Sequence, residues 1–122
     1  MNTAPKKSPE VLSTGARDEV RLRVLQALEA NPELSQRQLA AQLGVSLGGV
    51  NYALKALVER GFVKAGNFRK SESRVAYLYV LTPRGVAEKA SLATAFLGQK
   101  LKEYEVLRRE IEALRGEVDS SS

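Results

Sequence analysis

The 122-residue sequence has no cysteine and no histidine. Without cysteine there are no disulfides, thiol nucleophiles or thiolate metal sites, and the redox compartment is left unconstrained. Without histidine the commonest general base and transition-metal ligand is missing. No apolar run approaches the roughly 18 residues of a membrane span, and the polar first residues lack a signal-peptide core. The carboxylates lie mostly among Lys and Arg in helical patterns, which points to solvated ion pairs rather than a catalytic acid and base. These absences argue against an enzyme, a membrane protein, a metal site and a bound cofactor.

A chain of this length is one small domain with a modest core and room for an extension. Its hydrophobic share of 43% is ordinary for a globular protein. The net charge of +5 is unevenly spread. Positions 1–34 balance, and positions 85–122 carry a single negative excess. Positions 35–84 hold Arg37, Lys55, Arg60, Lys64, Arg69, Lys70, Arg74 and Arg84 against only Glu59 and Glu72. A basic surplus confined to the middle third points to a polyanion, most simply double-stranded DNA.

Residues 1–16 are rich in Pro, Ser, Thr and Lys with almost nothing to bury, and a disordered tail is expected there. From Arg17, Val20, Val24, Leu25 and Leu28 recur at helical spacing until Asn31-Pro32. Ser35 and Gln38 form a capping box for a second helix, which ends at Gly44 in a left-handed cap. Ser46 caps a third helix, about 46–60, closed by Gly61. Two β-rich runs, Phe62–Phe68 and Val75–Leu81, flank the polar tip Arg69–Ser73, so a hairpin with a basic tip is expected over about 62–81. Thr82-Pro83 then opens a long helix. Residues 119–122 are expected to fray.

Gln36, Ala40, Gly44, Val45, Ser46, Val50 and Leu54 fit a helix-turn-helix, with Ala40 small at the helix crossing and Gly44 at the turn. Followed by a basic hairpin, the order becomes that of a winged helix. The expected fold is mainly α with one small β-hairpin: a winged helix-turn-helix over 17–82, then a long coiled-coil helix over 83–118. At 100° per residue, Val50, Leu54, Leu57 and Val58 share one face of the third helix. Gly48, Gly49, Tyr52, Lys55 and Ala56 face away, with Asn51 on the flank. An outward Tyr beside a Lys suits a major groove. Each glycine inside a helix costs about 1 kcal/mol relative to alanine. A first turn without side chains, however, can approach a sugar-phosphate backbone and offer its amides to phosphate.

The stretch LSQRQLAAQLGVSLGGVNYALKALVERGFVKAGNFRKSESRVAYLYVLTPRG resembles the winged helix-turn-helix regulators of the MarR class. GVNYALKAL, GNF and YLYVLTP, with EKASLATAFLGQKLKEYEVLRREIEALR downstream, resemble their compact branch associated with exopolysaccharide gene clusters. The likeness implies a bacterial transcription regulator in the cytoplasm, on the nucleoid, acting on exopolysaccharide genes. Expected DNA contacts are Ser46, Leu47, Gly48, Gly49, Asn51, Tyr52 and Lys55 on the recognition helix. On the wing they are Lys64, Arg69, Lys70 and Arg74. No residue pattern identifies a small-molecule effector.

With Leu97 at heptad position a, Leu97, Tyr104, Ile111 and Val118 fall at a, and Lys100, Leu107 and Leu114 at d. β-Branched residues at a with Leu at d favour a parallel two-stranded coiled coil. In that arrangement Glu103 faces the partner's Arg108, and Glu110 the partner's Arg115. Leu97, Tyr104, Leu107, Ile111, Leu114 and Val118 are therefore the expected homodimer contacts. The function expected is a homodimer on a pseudo-palindromic operator. The alternative is a winged-helix protein-interaction module dimerised by the same coiled coil.

Overall fold

A computed structural model describes residues 14–72 and 74–121, without the side chains of Thr14, Lys70, Arg74 and Ala76. The element order is α1 (Thr14–Ala30), α2 (Gln36–Leu43), α3 (Leu47–Glu59), β1 (Val63–Ser71), β2 (Arg74–Leu81) and α4 (Pro83–Ser121). One compact unit ends at Leu92 and a second begins at Ala93. The expected tail falls outside the described residues up to position 13, while positions 14–16 already belong to α1.

Local chemistry sets most of these boundaries. The capping box closes in both directions: the Gln38 amide donates to Ser35 Oγ at 3.1 Å, and the Ser35 amide donates to Gln38 Oε1 at 2.8 Å. Gly44 ends α2 at φ 67°, a left-handed conformation that costs glycine nothing sterically. Ser46 caps α3 by accepting from the Gly49 amide at 3.0 Å. Thr82 Oγ1 accepts from the Gly85 amide at 3.1 Å and donates to the Gly61 carbonyl at 2.6 Å. The start of α4 is thus pinned to the end of α3.

The core of the first unit centres on α1, whose Val24, Leu25 and Leu28 are fully or almost fully buried. Leu39 of α2, Val50, Leu54 and Leu57 of α3, and Val63 of β1 close around it, and Leu92 of α4 is buried too. Val20, at helical spacing with the α1 core residues, and Ala40, at the helix crossing, are only half-buried. Ion pairs tie α1 to the first turns of α4. Arg21 meets Glu88 at 3.4 Å, and Lys89 pairs with Glu29.

Gly85 shows how tightly this corner is packed. A Cβ there would lie 2.0 Å from the Phe62 carbonyl oxygen, a backbone atom that cannot swing aside. The Arg84 guanidinium covers the Phe62 ring at 5.4 Å.

β1 and β2 form one antiparallel ribbon, with Val63 opposite Leu81, Asn67 opposite Tyr77 and Arg69 opposite Val75. The strands run further than the sequence pattern implied. Arg69, Lys70 and Ser71 belong to β1 and Arg74 to β2, leaving only positions 72 and 73 between them. The register slips between Arg69 and Ser71, where Lys70 is the extra residue of a bulge. The Tyr79 amide donates to the Pro32 carbonyl at 3.1 Å, fixing the ribbon's base to the α1–α2 turn.

The second unit is the remainder of α4, unbroken through Gly98 and Gly116. α4 is helical through Ser121, past the expected end at 118. Ser120 Oγ donates to the Gly116 carbonyl at 2.6 Å and Ser121 Oγ to the Glu117 carbonyl at 3.1 Å, each bonding back to a carbonyl one turn earlier in the helix.

Candidate nucleic-acid interface

α3 presents a narrow polar face. Tyr52 is 43% exposed, and Leu47, Gly48, Asn51 and Lys55 also stand at the surface. Ser46 lies at the cap, its hydroxyl held by the Gly49 amide. The helical phase read from the sequence holds for Gly48, Tyr52 and Lys55 and fails at three neighbours.

Gly49 is buried, not outward. A helical Cβ tilts toward the N-terminus, so a side chain at Gly49 would fall on its own cap. It would lie 3.0 Å from Val45 Cγ1 and 3.1 Å from Ser46 Oγ. Its amide is also taken by the cap, so Gly49 is not available to a phosphate in the way expected. Gly48 is: a Cβ there meets nothing within 4 Å. The Leu47 and Gly48 amides, first in the helix, have no carbonyl one turn earlier to bond. Ala56, expected outward, is half-buried on the other flank. Val58, expected inward, is 38% exposed because the two-stranded ribbon does not close over it.

Side chains alternate across a ribbon, and this separates the basic residues of the hairpin. Ala65, Asn67 and Arg69 share one face with Tyr79, Tyr77 and Val75, and that face looks toward α3, since Ala65, Tyr77 and Tyr79 line one groove with Lys55 and Val58. Lys64, exposed and opposite Val80, lies on the other face. The structure therefore puts Arg69 on the hairpin face that looks toward α3 and Lys64 on the opposite one. Arg69 also donates to the Glu72 carbonyl at 3.1 Å, which braces the tip. Lys70 sits at the bulge and Arg74 opposite Ser71.

One link in the site goes beyond the helix-turn-helix position that Gln36 holds in the sequence. Gln36, the first residue of α2, accepts from Asn51 Nδ2 at 3.1 Å and donates through Nε2 to the Tyr79 hydroxyl at 3.1 Å. A single amide thus joins the flank of α3 to the ribbon. Among the described residues no cluster of three or more potential metal ligands occurs, and no helix is long and apolar enough to cross a membrane.

Three helices, a turn at Gly44, an exposed third helix and a hairpin beside it are now all in place. Residues 17–64 match a family model described as winged helix-turn-helix DNA-binding. The first unit is a winged helix. Solved structures of similar fold include a MarR family protein of Mycobacterium tuberculosis in complex with salicylic acid. It is 21% identical over 78% of this chain and 75% of that one, with a TM-score of 0.56. ZitR of Lactococcus lactis in apo form is 24% identical over 84% of this chain and 83% of its own, with a TM-score of 0.54. The PcaV transcriptional regulator of Streptomyces coelicolor is 23% identical over 80% and 79%, with a TM-score of 0.50. At these identities the likeness is one of fold. No curated protein matches the chain.

In the second unit, the six residues expected at the dimer seam are all exposed, from 42% at Ile111 to 65% at Val118. Leu101 and Val106, off the seam, are exposed as well. Arg108, expected to reach a partner's Glu103, bonds within its own helix to Glu112 at 2.7 Å and Glu105 at 3.0 Å. Such exposed pairs contribute only about 0.3–0.5 kcal/mol each, so a partner carboxylate can replace one at little cost.

Proposed function

We propose that this winged helix is a DNA-binding transcription regulator of the MarR class, active as a homodimer on a pseudo-palindromic operator. One observation carries the reading. Lys55 of α3 lines one groove with the hairpin face that carries Arg69, and the exposed Tyr52 lies one turn before it, in the part of the chain that holds the basic surplus. α3 then lies in the major groove, with Tyr52, Lys55 and Asn51 toward base edges and phosphates. Gly48 lets its first turn approach the backbone. Arg69, Lys70 and Arg74 neutralise phosphates beyond it, while Lys64, on the far face of the ribbon, contributes through the general field rather than by contact.

The dimer forms through a parallel coiled coil of α4 burying Leu97, Tyr104, Leu107, Ile111, Leu114 and Val118. Removing one such side chain from water is worth roughly 1.5–3 kcal/mol. A regulator of this kind works in the bacterial cytoplasm, at the nucleoid. The sequence likeness to the branch associated with exopolysaccharide gene clusters makes those genes the proposed targets.

A protein-interaction module built on the same fold predicts a different response to salt. Each phosphate neutralised contributes about −0.9 to the slope of log affinity against log salt on duplex DNA. A titration of the full chain on duplex DNA should give a slope steeper than about −3, since Lys55, Arg69, Lys70 and Arg74 are all assigned near phosphates. A slope near zero, or no binding at low salt, would favour the interaction module.

A further inference from the structure

Between α3 and the hairpin runs an open groove of about 340 Å³, with Lys55, Val58 and Glu59 on one side and Tyr77 and Tyr79 on the other. Its apolar lining is not spare core. Val58 is 38% exposed and Tyr77 is 55% exposed. The Tyr77 ring is nonetheless held in place, edge-on to Tyr79 at 5.3 Å and 76°. Tyr79 is fixed in turn by Gln36, and Gln36 by Asn51. An exposed aromatic ring packed on a neighbour that is itself hydrogen-bonded in place has already lost part of the freedom that binding would otherwise remove.

In a duplex, one sugar-phosphate strand always separates a major groove from the neighbouring minor groove. If α3 occupies the major groove and the hairpin tip reaches past it, that strand must cross the surface between them, which is this groove. From this we infer that the groove seats one sugar-phosphate strand, with Tyr77 and Val58 packing on deoxyribose and Lys55 meeting a flanking phosphate. The inference rests on the DNA-binding reading and extends it to a residue outside the recognition helix. The mixed lining suits an occupant that alternates apolar sugar with charged phosphate. Glu59, exposed at the rim, is the one group of the wrong sign. Its carboxylate weakens the contact by like-charge repulsion.

The test uses the full chain and two labelled duplexes of equal length, one selected by the chain from a random pool and one of arbitrary sequence. A sugar contact carries no base information, so Tyr77→Ala should weaken both by a similar factor. That factor should be about three- to tenfold, as expected for loss of part of one ring's burial. The salt slope and melting temperature should stay in place. Glu59→Gln should strengthen binding to both about two- to threefold at low salt, fading as screening increases. Tyr77→Ala binding as tightly as the parent, or losing affinity only because it melts early, would overturn the assignment. So would a Glu59→Gln variant indistinguishable from the parent at low salt; the groove would then belong to a protein segment or a small molecule. A parent chain without salt-dependent affinity for either duplex would remove the DNA-binding reading as well. Indifferent variants of a DNA-binding parent would remove this inference alone.

Discussion

Gly48 and Gly49 are neighbours in sequence, yet the structure gives alanine opposite consequences at the two positions. At Gly48 a Cβ enters open space, so Gly48→Ala keeps only the benefits. Alanine restricts the unfolded chain and suits a helix, worth up to about 1 kcal/mol in a helix interior and about half that in a first turn. For a domain of this size the gain corresponds to roughly 2–4 °C in melting temperature. At Gly49 the same methyl lies 3.0 Å from Val45 Cγ1 and 3.1 Å from Ser46 Oγ. Val45 is β-branched and stiff about χ1. Ser46 Oγ cannot retreat without lengthening the cap hydrogen bond, which is worth about 1 kcal/mol. Crowding of this kind costs about 1–3 kcal/mol, so Gly49→Ala should be neutral to destabilising by up to about 2 kcal/mol. The effects on DNA should also diverge. The Gly48→Ala methyl points outward and should lower duplex affinity while stability rises, whereas the Gly49→Ala methyl points at its own cap. Thermal melts and binding isotherms on the two variants decide the matter. If Gly49→Ala stabilises as much as Gly48→Ala, the inward placement of Gly49 is wrong. If Gly48→Ala binds as tightly as the parent, the first turn of α3 does not approach the duplex.

Three further outcomes follow from other parts of the molecule. Gly85→Ala should destabilise the winged helix by about 3 kcal/mol or more, because α4 must move off the Phe62 carbonyl at the cost of the Thr82 contacts; a chemical melt within about 0.5 kcal/mol of the parent would contradict that packing. Replacing Arg69 and Lys70 together by alanine should weaken selected and arbitrary duplexes alike and flatten the salt slope by up to about 2, and an unchanged slope would take the hairpin tip off the phosphates. Ile111→Asp should raise the dimer dissociation constant at least about a hundredfold, since each chain loses a buried side chain and gains a charge in the seam; sedimentation showing an intact dimer would place the interface elsewhere.

The features legible in the sequence are those determined within a few residues. Ser35 and Gln38, Gly44, Ser46 and Thr82-Pro83 mark their helix ends because cap partners lie one turn away. The length of α4 was legible for the same reason, since helical spacing runs on without a breaker. What the sequence did not disclose depends on the third dimension. Val58 has the spacing of a core residue and lies in a groove, because the sheet beside it has only two strands. Lys64 and Arg69 both read as wing cations, but an odd separation along a strand puts them on opposite faces. Gln36 reads as a helix-turn-helix position and also joins α3 to the ribbon, through Asn51, 15 positions away, and Tyr79, 43 away. Gly85 carries no sequence signal for the backbone oxygen it must accommodate.

Two copies of this winged helix are proposed to grip DNA together and read its sequence. Selecting duplexes from a fragmented bacterial genome with the full chain tests both parts at once. A dimer bearing two equivalent recognition helices should enrich inverted repeats whose half-sites lie about one helical turn, 34–36 Å, or a multiple of it, apart. Recovery of no common sequence, or of single half-sites bound by a monomer, would contradict the account.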